Sequence, residues 1–305
     1  ELVCLGATDG KVKWRQRPDN HIASDPVFVS GRLVALLATV PLTQFVQIEV
    51  ASFDPATGEL LSREPVMRLR DDWYQKPPCS IRVIDDGLIV AVGGSIVRCD
   101  VSGRPQWLRK QIWMPRTLDL KWYDLHVARP LIAGKHVFIT QPHARSVLCL
   151  DQETGRARWR LGEPGLQRLL GVTAGRLVYR TTNGLVAVDA GSGKRVWKRD
   201  VPELLAAYSV DETGGVMFAQ RVRHNATTAW PVLVWLDGKT GQELGHRPLA
   251  VLSGKAPMLG PLFSAGGKRW AFSGKGPTDM RRDIVEFVPS TAARLQMPRS
   301  NEVSQ

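Results

Sequence analysis

One eleven-residue phrase recurs along this chain of 305 residues, and it constrains the fold more than any other feature of the sequence. Its most complete copy is AVDAGSGKRVW, in which an aspartate, a glycine and a tryptophan stand at fixed spacing. The glycines of successive copies lie 38 to 52 residues apart, a period typical of repeats built from four-stranded sheets. We therefore expect one structural unit to be repeated along the chain. The copies lie at residues 4–14, 52–62, 98–107, 149–159, 187–197 and 235–245.

Each recurring position of the phrase has a physical role in a tight hairpin. The aspartate carboxylate can accept hydrogen bonds from the turn amides, and the glycine takes a positive φ without a steric penalty. The tryptophan can bury a large ring against a neighbouring unit, although Ser62 and Gly245 replace it in two copies. The predicted structural positions are Asp54, Asp100, Asp151, Asp189 and Asp237, Gly10, Gly58, Gly103, Gly155, Gly193 and Gly241, and Trp14, Trp107, Trp159 and Trp197.

A second pattern of strand, glycine turn and strand precedes most copies, for example VFVSGRLVAL at 27–36. Two hairpins per period give four strands, and no segment shows sustained helical periodicity. We predict an all-β fold, a β-propeller of four-stranded antiparallel blades, with six blades visible and seven or eight in a longer parent chain. Residues 1–290 would form a single propeller domain and residues 291–305 a loose tail. Because the chain opens at Glu1 in a strand-like segment, we expect any export signal to lie upstream.

The charge, the hydropathy and the cysteine content limit the kinds of partner and site that the sequence predicts. The net charge of +12 favours acidic partners, but lysine and arginine are scattered rather than clustered. The charge therefore indicates either a solvated basic surface or polyanion binding. No apolar run is long enough for a transmembrane segment. The four cysteines include no CxxC pair, and Cys4 and Cys149 share one repeat position, so both are predicted to be small core residues.

The sequence shows no catalytic or metal-binding motif. The six histidines have no HxH or HExxH spacing. No nucleotide-binding loop or serine-nucleophile elbow occurs either. We therefore predict no catalytic residue and no metal site.

Two insertions between repeats are candidate interaction sites, since loops on a rigid scaffold often carry binding residues. The first, at 68–78, holds two adjacent acids and two aromatic residues; these either bind a cation or form a solvated turn. The second, at 108–130, mixes aromatic and basic residues; these either contact a protein or glycan or cover the core. The candidate interaction residues are Asp71, Asp72, Trp73, Trp113, Trp122, Tyr123, Asp124 and His126.

The recurring Ala-x-Asp-x-x-x-Gly-x-x-x-Trp phrase resembles the tryptophan-docking repeat of the pyrroloquinoline-quinone-like (PQQ-like) propellers. That superfamily includes quinoprotein dehydrogenases and the propeller lipoprotein of the outer-membrane β-barrel assembly machinery. The dehydrogenases resemble one another in a vicinal cysteine pair and a calcium shell, and this sequence has no adjacent cysteines. The resemblance is closer to the non-enzymatic assembly lipoproteins, and it implies a bacterial, periplasmic or otherwise extracytoplasmic protein.

Three functional hypotheses follow. The first is a non-catalytic binding or scaffold propeller that presents its inter-blade loops to a protein or other macromolecular partner, with no cofactor. The alternative is a PQQ-dependent dehydrogenase, which would require PQQ and calcium. The third, polyanion binding, rests on the basic charge alone.

Overall fold

The structure is a computed structural model that describes residues 1–39, 45–70, 79–92, 94–110, 129–141, 145–201, 203–210, 214–223, 229–248, 258–265, 268–274 and 283–287. These residues form strands and turns, with no helix among them. Accordingly, the described part of the chain offers no helix suited to crossing a membrane. The chain divides into two compact units, Glu1–Pro164 and Gly165–Gln305.

The first unit contains four antiparallel sheets in chain order. The first sheet has two strands, β1 (Leu2–Leu5) and β2 (Val12–Gln16). The second has β3 (His21–Ile22), β4 (Val27–Val29), β5 (Arg32–Ala38), β6 (Phe45–Phe53) and β7 (Leu60–Arg70), with β3 and β4 both paired to β5. The third has β8 (Cys79–Ile84), β9 (Gly87–Val92), β10 (Ser95–Asp100) and β11 (Pro105–Lys110). The fourth has β12 (Leu131–Ala133), β13 (His136–Gln141), β14 (Ser146–Asp151) and β15 (Ala157–Gly162).

The second unit continues the same pattern. The fifth sheet has β16 (Leu166–Thr173), β17 (Arg176–Thr181), β18 (Gly184–Asp189) and β19 (Arg195–Asp200). The sixth has β20 (Leu204–Val210), β21 (Gly215–Arg223), β22 (Ala229–Asp237) and β23 (Glu243–Pro248). The seventh has three described strands, β24 (Met258–Ala265), β25 (Lys268–Gly274) and β26 (Asp283–Phe287). The prediction of an all-β chain of four-stranded antiparallel sheets is confirmed.

The recurring phrase forms the hairpin between the last two strands of a sheet. In the sixth sheet the Asp237 carboxylate accepts hydrogen bonds from the backbone amide and hydroxyl of Thr240, at 2.7 and 2.9 Å. The amide of Gly241, at a φ of 73°, donates to the Asp237 carbonyl at 2.8 Å. In the copy at 4–14, a different residue accepts the hydrogen bond from the turn, because Gly6 stands at the aspartate position. There the Asp9 carboxylate accepts the Lys11 amide at 3.1 Å and fills the space that a side chain at Gly6 would need.

The tryptophan at the end of a hairpin docks onto the glycine turn of the next sheet. Trp197 of the fifth sheet donates from Nε1 to the Gly238 carbonyl of the sixth at 2.9 Å. A Cβ added at Gly241 would lie 2.7 Å from that indole. Only a residue without a side chain therefore lets the ring lie flat on the turn. The same donation and close glycine join Trp14 to Pro55 and Gly58, and Trp107 to Gln152 and Gly155.

The sixth sheet carries its tryptophan on the opposite strand. In the fifth sheet Ala187 pairs across the hairpin with Trp197, a small residue facing a large one. In the sixth sheet Trp235 pairs with Gly245, so the large and small residues have exchanged strands. The indole nitrogen of Trp235 is buried and has no hydrogen-bond partner among the described residues. The hairpin thus keeps one ring at this position but loses the hydrogen bond that Trp197 makes.

The hydrophobic core lies between consecutive sheets. In the first unit, one apolar cluster joins the first and second sheets, another the second and third, and another the third and fourth. In the second unit a cluster joins the fifth and sixth sheets. Strands near the start of neighbouring sheets also contact each other, as β4 does β8, and as β20 does both β16 and β24. The second and third sheets are therefore covered on both faces, which explains why the strand β9 of the third sheet is buried and apolar throughout.

Candidate functional site

The interaction residues predicted from the sequence all lie outside the described residues. This holds for the acidic and aromatic group at 71–73 and for the group at 113–126. The strands that flank these segments are described: β7 and β8 around the first, and β11 and β12 around the second. The predictions for Asp71, Asp72, Trp73, Trp113, Trp122, Tyr123, Asp124 and His126 therefore stay predictions.

Within the first unit, the structure brings together a charged group that the sequence analysis did not single out. Its members are Asp25, Arg82 and Arg129, with Ser80 beside them. They come from the start of the second, third and fourth sheets. We call these four residues the first-strand cluster.

Asp25 is positioned by an interruption between β3 and β4. The Ala23 amide still donates to the Leu36 carbonyl at 2.8 Å, but the Leu36 amide donates to the side-chain oxygen of Ser24 at 3.0 Å. Pro26 has no amide hydrogen and cannot continue the ladder. β3 and β4 therefore both pair with β5, while Asp25 between them takes no part in the pairing and exposes its side chain.

Arg82 and Ser80 share one face of β8, because alternate residues of a strand point to the same side. Ile81 packs on the opposite face, in the core shared with the second sheet. Ile84, two residues beyond Arg82, packs in the core shared with the fourth sheet. Ser80 and Arg82 therefore face the fourth sheet, where Arg129 lies two residues before the start of β12. Ser80 is only 8% exposed, and its hydroxyl has no hydrogen-bond partner among the described residues.

Electrostatics link the three charged members. A guanidinium nitrogen of Arg129 lies 3.0 Å from a carboxylate oxygen of Asp25. Burial lowers the pKa of Arg82, the positive charge of Arg129 lowers it further, and the negative charge of Asp25 opposes both. The Arg82 guanidinium is therefore held in a half-buried place where positive charge is in excess.

The first strand of the fifth sheet, in the second unit, also carries a half-buried arginine. Arg168 on β16 pairs in register with Arg180 on β17. Burial, followed by the charge of Arg180, lowers the pKa of Arg168 to about 10. Basic side chains on first strands are thus a feature of both units.

These side chains do not fit a calcium ion held beside a quinone. Calcium requires several oxygen ligands, carboxylates foremost. The first-strand cluster supplies a single carboxylate, which is already paired with Arg129. Among the described residues, no three His, Cys, Asp or Glu side chains come together as a metal site. Burial also raises the pKa of Cys79, Cys99 and Cys149 to about 12, so these residues are thiols rather than nucleophilic thiolates at neutral pH.

One feature of the sequence, a single charged residue in an otherwise apolar strand, indicates the first-strand cluster once the structure is known. The strand CSIRVI is apolar or small at every position except Arg82. A charged residue in a strand whose two faces are both covered needs a partner or a function. The sequence alone does not show which partner, because Arg129 and Asp25 are 104 residues apart.

Comparison with known proteins supports the fold. The profile of the family described as outer membrane protein assembly factor BamB matches residues 1–199 and, in a second match, residues 46–258. A search of curated protein sequences gave no match. The crystal structure of BamB from Moraxella catarrhalis superposes with a TM-score of 0.55 at 14% identity, covering 88% of this chain and 75% of that one.

Two further solved structures superpose less well. The Pan2 WD40 domain of Neurospora crassa gives a TM-score of 0.48 at 12% identity, covering 85% of this chain and 78% of that one. A europium-containing methanol dehydrogenase gives a TM-score of 0.47 at 12% identity, covering 93% of this chain and 74% of that one. Of these three, only the superposition on BamB has a TM-score above 0.5, and at 14% identity it bears on the fold and not on the activity.

The predicted fold class is therefore confirmed: the chain is an all-β propeller, and its third to sixth sheets are four-stranded antiparallel blades. The repeat phrase and the family profile cover the same residues, from the N-terminal copy to the copy in the sixth sheet. This chain belongs to the outer membrane protein assembly factor BamB family, within the PQQ-like propeller superfamily.

Proposed function

We propose that this chain is a non-catalytic propeller that binds protein partners through the segments between its blades. The family to which it belongs is described as an assembly factor for outer membrane proteins. By extension, the partners are proteins of outer-membrane assembly and the location is extracytoplasmic.

The observation that carries this proposal is the use of the repeat residues inside the fold. The carboxylates of Asp54, Asp100, Asp151, Asp189 and Asp237 accept hydrogen bonds from their own turns. The indoles of Trp14, Trp107 and Trp197 donate to carbonyls of the next sheet. Polar groups that are satisfied within the protein are not free for chemistry on a substrate. The repeat therefore provides rigidity, and binding is left to the segments that connect the sheets.

The two predicted interaction segments are attached at one end of their sheets. β7 and β11 each begin at an aspartate–glycine turn and run away from it. β7 ends at Arg70 and β11 at Lys110, within the predicted segments 68–78 and 108–130, and both strand ends lie opposite the turns.

The test is direct binding to a defined partner. The purified chain would be titrated against the purified periplasmic part of the outer-membrane β-barrel assembly protein from the same organism, by biolayer interferometry. We expect saturable binding that weakens at least about tenfold in the double variant Trp113→Ala/Trp122→Ala, since large aromatic anchors dominate interfaces. Leu244→Ala removes another exposed apolar side chain outside these segments and should bind like the wild type.

A second titration addresses the enzyme alternative. The chain would be mixed with PQQ and calcium while tryptophan fluorescence and dye reduction by alcohols and sugars are followed. Saturable binding with turnover would overturn the proposal and make the protein a dehydrogenase. Heparin binding that survives about 0.15 M salt would instead favour a polyanion partner.

A further inference from the structure

The first-strand cluster has more hydrogen-bond donors than acceptors. Arg129 and Asp25 form an ion pair at 3.0 Å, and both side chains are also open to water. Arg82 makes no hydrogen bond or ion pair within the described residues, and the Ser80 hydroxyl on the same face is buried without a partner. Two sets of donors, one of them charged, therefore share a place that is partly closed to water.

This arrangement is unfavourable unless another group accepts hydrogen bonds from Arg82 and Ser80. A buried hydroxyl without a hydrogen bond loses the free energy of its hydration. A half-buried guanidinium beside a second guanidinium is further destabilised, which agrees with the lowered pKa of Arg82. The two arginines and one aspartate leave a net charge of +1. A group with one negative charge and at least two acceptor positions would neutralise this charge and accept hydrogen bonds from both side chains.

We propose that Arg82 and Ser80, beside the Arg129–Asp25 ion pair, bind a carboxylate group. A guanidinium is a planar fork whose N–H groups match the two oxygens of a carboxylate. The Ser80 hydroxyl, two residues away on the same strand face, supplies a further donor. The carboxylate belongs either to a small organic acid or to the C-terminus or acidic side chain of a protein. This proposal stands independently of the protein-binding function proposed above.

The experiment uses sodium acetate as the probe. The Tm of the full chain would be measured by differential scanning fluorimetry at pH 7, with chloride replaced by acetate at constant ionic strength. We expect the Tm to rise with the logarithm of the acetate concentration, by about 2–4 °C at tenfold excess over the dissociation constant. Acetamide, which has the same shape but no charge, should give no rise.

Variants locate the site. Arg82→Met removes the charge but keeps the apolar stem, and should raise the apparent dissociation constant for acetate at least about tenfold, as expected for a charge-assisted hydrogen bond. Arg104→Met is the matched control: it also removes one positive charge from the third sheet, and its side chain is 74% exposed. It should bind acetate like the wild type. Equal loss in both variants, or no rise in the Tm of the wild type with acetate beyond that seen with acetamide, would overturn the proposal.

A second pair of variants covers the case in which Arg82→Met does not fold. Arg82→Lys keeps the charge without the planar fork, and Ser80→Ala removes the hydroxyl. Both should weaken acetate binding while circular dichroism stays like that of the wild type; unchanged binding in both would also refute the site. Titration with N-acetyl-alanyl-alanine identifies the source of the carboxylate. If the natural ligand is a chain end, the C-terminus of this peptide should bind about tenfold more tightly than acetate. Equal affinity would indicate a small acid.

Discussion

Replacing Gly241 by alanine tests whether tryptophan docking holds neighbouring blades together. The glycine has a φ of 73°, and an added Cβ would lie 2.7 Å from Cδ2 of Trp197. That ring is 8% exposed and donates to the Gly238 carbonyl. Alanine at this position must therefore both adopt a left-handed conformation and displace a buried indole.

Gly175 offers a control in the same unit. Its φ is 71°, but a Cβ there would meet nothing within 4 Å. Gly175→Ala should therefore cost only the backbone strain, about 1 kcal/mol. Gly241→Ala should cost about 3 kcal/mol, because overpacking against the ring and the weakened indole hydrogen bond add about 2 kcal/mol.

The free energy of unfolding would be measured by urea denaturation followed by circular dichroism, which does not depend on tryptophan emission. A double-mutant cycle completes the test: in a Trp197→Ala background, Gly241→Ala should cost about 1 kcal/mol, like the control. If the two glycine variants lose the same stability, or if the cost of Gly241→Ala is unchanged without the ring, the docking contact does not join the sheets.

Two further predictions concern the sixth sheet. Trp235→Ala should lower the free energy of unfolding by about 3 kcal/mol. The double variant Trp235→Ala/Gly245→Trp should recover most of that stability, because it restores the arrangement of the fifth sheet. Urea denaturation measures the stability of both variants, and no recovery would show that the two strands are not interchangeable. The Thr240 amide and hydroxyl lower the pKa of the Asp237 carboxyl, so its stabilisation is present above its unfolded pKa of about 4 and is lost as pH falls. Asp237→Asn should therefore lower the Tm at pH 7 and reduce the fall in Tm between about pH 4 and pH 2; an unchanged acid profile would contradict this.

The turns were predictable from the sequence because everything that forms them is local. Asp151 accepts from the amides of residues two and three positions later, so the spacing in the sequence is the spacing in the structure. Even the turn shortened by one residue is visible: the Gly103 amide donates to the carbonyl three positions earlier, whereas Gly155 donates to the one four positions earlier. Repetition of this local pattern then indicates the propeller.

The first-strand cluster could not be predicted in this way. Its ion pair joins Asp25 to Arg129, and the contact exists only because three sheets stack in chain order. The exchange of ring and small residue between positions 235 and 245 was equally hidden, since it needs the cross-strand register. Contacts that depend on which sheets are neighbours do not occur at a fixed spacing in the sequence.

Tryptophan docking also bears on how propellers of this kind change in size. The two halves of each joint lie in different sheets: the ring of Trp107 belongs to the third sheet, and the glycine that receives it, Gly155, to the fourth. A complete repeat thus carries a receiving turn for the blade before it and a ring for the blade after it. Duplication of one such gene segment would insert a blade with both joints already matched, so that blade number can grow without any new interface having to evolve.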